Sequence, residues 1–459
     1  MPAIDPNTHK GKTPSNGVLF TNLALFDGRD LTLQRHVNVL VLGDQIAAVD
    51  KGSPTPPDGV EILDCKGFTL MPGLIDAHWH TMFAAMPKQA LQMADTGDIH
   101  LAAAHQAERT LMRGFTTVRD MGGPCFALKR AIDSGMVKGP RIFPSGAMLS
   151  QTAGHGDYRF AWELTDQPTR LSRSETLGAS IIADGRADVL RAARQQLLQG
   201  ASQIKVLASG GVASAYDPID VLQFLPEELE AAVSVAADWG TYVAAHAYTS
   251  DAVRRCLKAG VRSIEHGQLA DEETARMMAD QGAFWSLQPF LPELSSLGPD
   301  KIPADSKMPE IWAGTNRAYE LASTLDVSTG WGSDILFSAK AAERQGAYLV
   351  ALKRWFTPAK ALRQATSQNA ALLGLSGKRS AYGHALGVIE ENAFADLLLV
   401  AGDPTENLDL LADPDQSLAL IMKGGRVVKN TLDLHKPMRV EGKRVERMAT
   451  SANVGVLGE

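Results

Sequence analysis

Leu70-Met-Pro-Gly-Leu-Ile-Asp-Ala-His-Trp-His80 is an apolar run that closes on two histidines one residue apart. A short apolar run bounded by polar residues marks a buried strand. Side chains alternate faces along a strand, so His78 and His80 point the same way and Trp79 points into the wall. Two neutral imidazoles on one face supply half of a metal site. Alone the pair is a weak signal. Its weight depends on what other strand ends carry.

Seven more runs of β type follow: Phe115–Met121, Arg141–Gly146, Gln203–Ser209, Tyr242–Ala247, Val261–His266, Ala283–Gln288 and Asp326–Asp334. With Thr69–His80 they make eight. Between them Ala187–Gln199, Pro226–Trp239 and Asp251–Ala259 carry helix formers at amphipathic spacing, and Pro358–Leu375 reads as the final helix. Alternating strands and helices imply a parallel sheet, and eight such units imply a closed (β/α)8 TIM barrel over residues 71–380, with its site at the carboxyl ends of the strands. The flanks differ. Asn38–Gly43 and Ile46–Val49 form a hairpin around Gly43-Asp44; Ala395–Val400 is a strand and Ile421–Val428 a hairpin around Gly424-Gly425. Neither flank closes a core alone, so residues 1–70 and 381–459 are expected to pair as one small β-sandwich domain, with a polar surface tail after Lys429. Two βα loops, Ala147–Asp184 and Gln288–Leu325, are long, and structureless loops of that length usually bind or cover a ligand.

Other strand ends do carry ligand-type residues. His246 ends Val243-Ala-Ala-His246, His266 ends Ser263-Ile-Glu-His266, and Asp334 ends Thr329-Gly-Trp-Gly-Ser-Asp334. Lys205 lies inside Gln203-Ile-Lys-Val-Leu207. A buried, unpaired lysine is costly. The cost disappears if CO2 carboxylates the amine, because the carbamate is an anion able to bridge two metal ions. Plainer readings stand beside these: Lys205 snorkelling to solvent, Asp334 as an N-cap, His155 as a loop histidine held by backbone, Tyr248 as packing, Glu265 as a structural residue facing away from His266. Ser209-Gly210-Gly211 lacks the spacing and lysine of a phosphate loop and reads as a tight turn that lets a substrate approach the metals.

Pro72-Gly-Leu-Ile-Asp-Ala-His-Trp-His80, followed by Lys205, His246, His266 and Asp334, resembles the amidohydrolase superfamily over nearly the whole chain. Ser145-Gly-Ala-Met-Leu-Ser-Gln-Thr-Ala-Gly-His-Gly-Asp157 and Lys205-Val-Leu-Ala-Ser-Gly-Gly-Val212 are similar to its prolidase-like branch of Xaa-Pro and Xaa-Arg carboxypeptidase-type enzymes and ochratoxin-cleaving amidases. The resemblance implies two Zn2+ ions per subunit. His78, His80 and Asp334 would hold the more buried one and His246 and His266 the other, with carboxylated Lys205 and a hydroxide bridging them. It further implies attack of that hydroxide on an amide carbonyl, with Asp334 as general base and then acid. His155 would donate to the developing oxyanion, and Tyr248, two residues beyond His246, would touch the substrate. The implied substrate is an N-acyl amino acid, a dipeptide or an ochratoxin-like amide. A homo-oligomer is also implied.

Composition narrows the alternatives. The 459 residues carry 45 basic and 52 acidic side chains, a net charge of −7, which argues against general affinity for nucleic acid or anionic lipid. Three scattered cysteines, Cys65, Cys125 and Cys256, allow no disulfide framework and suit a reducing compartment. Met1–Lys12 has no apolar core of a signal peptide, and no run is long enough to span a membrane, so a cytoplasmic protein is expected. Ser150 and Ser214 lack the context of a serine hydrolase. A cyclic amidase, imidazolonepropionase-like hydrolase or deaminase is the runner-up, weakened by Lys205. A lactonase, a phosphotriesterase or an inactive scaffold on the same barrel completes the set.

Overall fold

The structure is a computed structural model and describes residues 17–52, 55–164, 171–214, 216–295 and 306–432. The polar stretch Met1–Lys12, the chain beyond residue 432 and the middles of both long loops lie outside the described residues.

Five strands open the chain: β1 (Val18–Leu25), β2 (Gln34–Leu42), β3 (Gln45–Asp50), β4 (Glu61–Asp64) and β5 (Phe68–Pro72). Ten follow: β6 (Leu74–Trp79), β7 (Phe115–Asp120), β8 (Arg141–Pro144), β9 (Met148–Ser150), β10 (Ser180–Ile182), β11 (Ile204–Leu207), β12 (Val243–Thr249), β13 (Ser263–Leu269), β14 (Phe284–Leu287) and β15 (Thr329–Trp331). Three more complete the strands of the described residues: β16 (Leu397–Ala401), β17 (Leu418–Lys423) and β18 (Arg426–Asn430).

The outer strands share one sheet, in the order β18-β17-β16-β5-β1-β2-β3, with β4 beside β1. The seam between the two chain ends is the antiparallel pair β5–β16, in which Leu70 faces Leu399. Its core is apolar, with Phe20, Leu25, Val39, Leu397 and Leu420 fully buried. The run read as one strand, Thr69–His80, is thus two strands in different sheets. They part at Gly73, where a Cβ would come within 2.0 Å of Thr116 Oγ1, so only glycine lets the chain cross there.

The inner strands are all parallel and form two sheets, β6-β7-β8 and β10-β9-β11-β12-β13-β14-β15, in a TIM-barrel-type α/β arrangement. Hydrogen bonds cross both gaps between them. Ser202 N donates to Pro144 O at 2.7 Å on one side. On the other, Asn369 Nδ2 donates to Ile75 O and to Trp331 O, both at 2.7 Å, and so ties β6 to β15. Helices pack outside by their apolar stripes. Arg186–Gln199 buries Val189, Ala192, Ala193, Gln196 and Leu197, the i, i+3, i+4 pattern of one face, and stops at Gly200. Thr249 and Asp271 cap the helices that follow β12 and β13 by accepting from the Ala252 and Thr274 amides.

The expectation for the two long loops needs correction. The long segments are not structureless: the first holds β9, β10 and the short helix Arg173–Thr176, and the second holds the helix Met308–Thr324. Strands as short as β9 and β10, with no longer apolar run around them, carry too little pattern to be seen in a sequence. The expected final helix is present from Pro358 to Gly374, with one wide π-type turn at Gln364–Gln368 inside it, and carries Asn369 at the β6–β15 gap.

Candidate active site

The carboxyl ends of the inner strands deliver the six ligand-type residues to one cavity of about 400 Å³. His78 lies on β6, one residue before its end, and His80 follows the strand; Lys205, His246 and His266 lie on β11, β12 and β13; Asp334 follows β15. His78 Nε2 and His80 Nε2 stand 3.3 and 3.2 Å from Asp334 Oδ1. The His266 ring centroid is 5.0 Å from that of His78 and 4.5 Å from that of His246. Asp334 and His266 reach this position through left-handed backbone, φ +50° and +74°, which non-glycine residues rarely adopt and which clusters at functional sites.

Burial sets the charge of these groups. It pushes the His78 imidazole down to about 4, with Lys205 adding to the effect, and pushes His246 and His266 well below the ordinary range. The imidazoles therefore offer lone pairs near neutral pH. Burial opposes ionisation of Asp334, but the neighbouring His78 and His80 outweigh it and hold the carboxyl below its usual value. Burial also pushes the Lys205 ammonium down to about 8, and among the described residues its amine has no hydrogen-bond acceptor.

This donor set fits a metal ion. Two ligands about 2.0–2.2 Å from one tetrahedral cation lie roughly 3.4 Å apart. The nitrogens of His78 and His80 keep that spacing to Asp334 Oδ1, and all three donor atoms lie within 4.8 Å of one another.

Beneath these side chains runs a polar layer that the sequence did not reveal. Glu265 was expected to face away; instead its Oε2 lies 2.8 Å from His78 Nδ1. Both oxygens of Glu265 accept from Arg119 Nη2 at 2.8 Å, and Arg119 also donates to Tyr242 and Ser286. Gln288 Oε1 accepts from His266 Nδ1 at 2.7 Å. Asp76 takes the amides of His78 and Ser333 and the side chains of Ser333 and Gln345, clamping β6 to the Asp334 turn. His266 has positive φ, a departure from regular strand geometry, so alternation alone does not fix which way Glu265 and His266 face.

His155 is buried, and its ring stacks on His246 with centroids 4.4 Å apart. Its Nδ1 lies 2.6 Å from Ser214 Oγ and 3.2 Å from Asp217 Oδ2. Lys307 Nζ donates to Gly211 O and Ser214 O at 2.8 and 3.2 Å, holding the same loop. Gly211 serves a purpose other than the one expected: a Cβ there would meet the His155 ring at 2.1 Å, so the glycine makes room for the imidazole. Tyr248 is buried, stacks on His266 at 5.0 Å and meets His246 edge-on at 5.0 Å. The remaining wall is largely apolar and aromatic, with Phe83, Phe290 and Phe337 inside and Phe160 stacked on Trp162 at 5.7 Å.

Imidazoles, a carboxylate and a buried lysine gathered at the carboxyl ends of parallel strands define the class of TIM-barrel-type hydrolases that work with metal ions. The profile of the amidohydrolase family matches residues 69–428. The ochratoxinase of Aspergillus niger is 31% identical over 381 residues, 78% of this chain and 75% of that protein. A crystal structure of a prolidase complexed with N-methylphosphonate-L-proline superposes with a TM-score of 0.82 at 33% identity, covering 90% of this chain and 100% of the other. A Xaa-Pro dipeptidase structure with bound methionine gives 0.78 at 28% identity, again over 90% and 100%. The chain belongs to the amidohydrolase family, in its prolidase-like branch, and is a hydrolase of amide or peptide carbon–nitrogen bonds. Among the described residues no helix is long and apolar enough to cross a membrane.

Proposed function

We propose that this protein is a binuclear metal-dependent amidohydrolase that cleaves the amide bond of an N-acyl amino acid, a dipeptide or an ochratoxin-like amide. The observation that carries the reading is the convergence of His78, His80, Lys205, His246, His266 and Asp334 on one cavity. His78, His80 and Asp334 would hold one zinc ion, His246 and His266 a second, and carboxylated Lys205 would bridge them. Bound there, the cations supply Lewis acidity and make water acidic enough to ionise near neutral pH.

The chain's own groups do the rest. Asp334, kept ionised, takes a proton at a carboxylate oxygen and returns it to the leaving nitrogen, which cannot depart as an amide anion. His155, fixed at Nδ1 by Ser214 and Asp217, presents Nε2 as the hydrogen-bonding edge for the carbonyl oxygen as charge develops. Tyr248 bears on the substrate beside His266. The lowered proton affinity of Lys205 favours the neutral amine that reaction with CO2 requires.

The two inner sheets are read as one closed (β/α)8 barrel over residues 71–380, with residues 1–70 and 381–459 forming the β-sandwich domain beside it. A cytoplasmic homo-oligomer acting on a small molecule, without nucleic acid or membrane, completes the proposal. The test is a metal analysis of the purified protein joined to a hydrolysis screen over N-acyl amino acids, dipeptides and ochratoxin-type amides. About two zinc equivalents per chain and turnover of such amides are expected. One equivalent with deaminase activity, or normal folding with no metal and no turnover, would overturn it.

A further inference from the structure

His155 owes its place to a loop that does not hold itself. Residues 211–217 follow β11, and among the described ones no backbone-to-backbone hydrogen bond is made. Side chains hold the loop instead. The Asp217 carboxylate accepts from the Gly211 amide at 2.9 Å, closing the loop on itself. Lys88 reaches Ala213 O at 2.8 Å from the side of the cavity at the strand ends. Lys307 does more. Its ammonium donates to Gly211 O, Ser214 O and Asp217 O at 2.8, 3.2 and 2.5 Å, and lies 3.8 Å from Asp217 Oδ1. Three carbonyls spaced three residues apart thus converge on one cation, which has three N–H donors to meet them. Two of the residues so gripped, Ser214 and Asp217, are the partners of His155 Nδ1. The third, Gly211, lies against the ring itself.

Lys307 comes from a distant part of the chain. It immediately precedes the helix Met308–Thr324, which packs on β13 and buries Ile311, Thr315 and Ala318. The ammonium therefore fixes the loop after β11 relative to a strand two places along the sheet, the one that carries His266. Lys307 is not among the residues that line the cavity at the strand ends; it lies on an outer cavity with Tyr216, Ile219 and Glu310. Without the cation, three carbonyl oxygens and a carboxylate would crowd one point, and the loop would relieve this by turning them to water. We infer that Lys307 is a positioning residue for His155. It sets the loop geometry that presents Ser214 and Asp217 to Nδ1 and so aims Nε2 at the substrate carbonyl, a role that rests on the amidohydrolase reading for what His155 does.

Lys307→Met keeps the length of the side chain and removes its charge and donors. On an amide that the zinc-loaded wild type hydrolyses, kcat should fall about 10- to 100-fold, with KM and metal content nearly unchanged. Joined to His155→Ala, the substitution should cost almost nothing further, because both act through one imidazole. Lys307→Gln, which keeps two N–H donors, should lose less, and it carries the same comparison where the methionine variant does not fold. Crystal structures of the wild type and of the variant give a reading that needs no turnover: in the variant the His155 ring should have left Ser214 and Asp217. A kcat equal to that of the wild type, a loss that adds in full to that of His155→Ala, or a His155 ring still in place overturns the inference. If the ring is displaced in the variant but the wild type hydrolyses no amide, the role of Lys307 stands and the amidohydrolase reading falls.

Discussion

His78 Nδ1 lies 2.8 Å from Glu265 Oε2, and the same carboxylate is gripped by Arg119. The imidazole thereby donates through Nδ1, and its Nε2 lone pair is turned toward Asp334, 3.3 Å away. Burial alone would raise the Glu265 carboxyl. The Arg119 guanidinium and His78 outweigh it and hold the group well below the usual carboxylate range. A buried charge of this kind persists because it is paired and hydrogen-bonded.

Glu265→Gln keeps the shape and removes the charge. Metal affinity should fall about 10- to 100-fold, the usual effect of losing a partner that orients a ligating histidine. The unfolding midpoint should drop as well, because Arg119 stays buried without its counter-ion. Competition with a chelator and thermal unfolding of the loaded protein measure the two effects. Wild-type metal affinity in this variant would mean that His78 needs no such support.

His155 is the second target. His155→Ala should keep its metal and fold while kcat falls roughly 10²-fold, the scale for one oxyanion donor. Asp217→Asn should act in the same direction by about tenfold or more, since Asp217 orients Nδ1 and touches nothing that reacts. Metal content alongside kcat and KM separates this from ligand loss. Unchanged kinetics in both variants would leave His155 as a loop histidine held by its neighbours.

Gly211→Ala tests the same imidazole from the other side. The backbone at Gly211 does not lie in the left-handed region, so alanine adds no conformational strain. Its Cβ would still come within 2.1 Å of the His155 ring. The ring must move, and with it the stack on His246. The variant should fold and approach His155→Ala in kcat, and combining the two substitutions should cost little beyond His155→Ala alone, because residues acting through one group are not additive. Additive losses would show that Gly211 acts by another route.

Much of this site was legible because strand ends advertise themselves. His78, His246, His266 and Asp334 each follow β-type residues, and their order along the chain matches their order around the parallel strands. The apolar runs located eight of the ten inner strands to within a few residues; β9 and β10 lay inside a segment read as loop. What escaped had physical reasons. Glu265 and Gln288 meet His78 and His266 from other strands or their ends, and Arg119 meets Glu265, contacts that no residue type announces. Ser214 and Asp217 meet His155 through a loop fold. The wide π-type turn at Gln364–Gln368 lies inside an uninterrupted helical pattern and contains neither proline nor glycine.

Lys205 carries the last prediction. It is among the largest fully buried side chains, and burial has already driven its ammonium down to about 8. Glu265 and Asp334 attract the charged form and Arg119 repels it. A lysine kept there only to fill space would be replaced by alanine or methionine with little harm to metal binding, and burying a methionine would even remove a desolvation cost. A lysine that becomes a carbamate has no such substitute. Lys205→Ala and Lys205→Met should therefore lose most of the metal and nearly all turnover. Added bicarbonate should speed metal loading of the wild type and leave both variants unchanged. A short carboxylic acid such as propionate or formate, supplied with zinc to Lys205→Ala, should recover part of the bound metal by occupying the vacated space. Full metal content and activity in Lys205→Met would remove the bridge from the mechanism and leave the five remaining ligands to account for the chemistry.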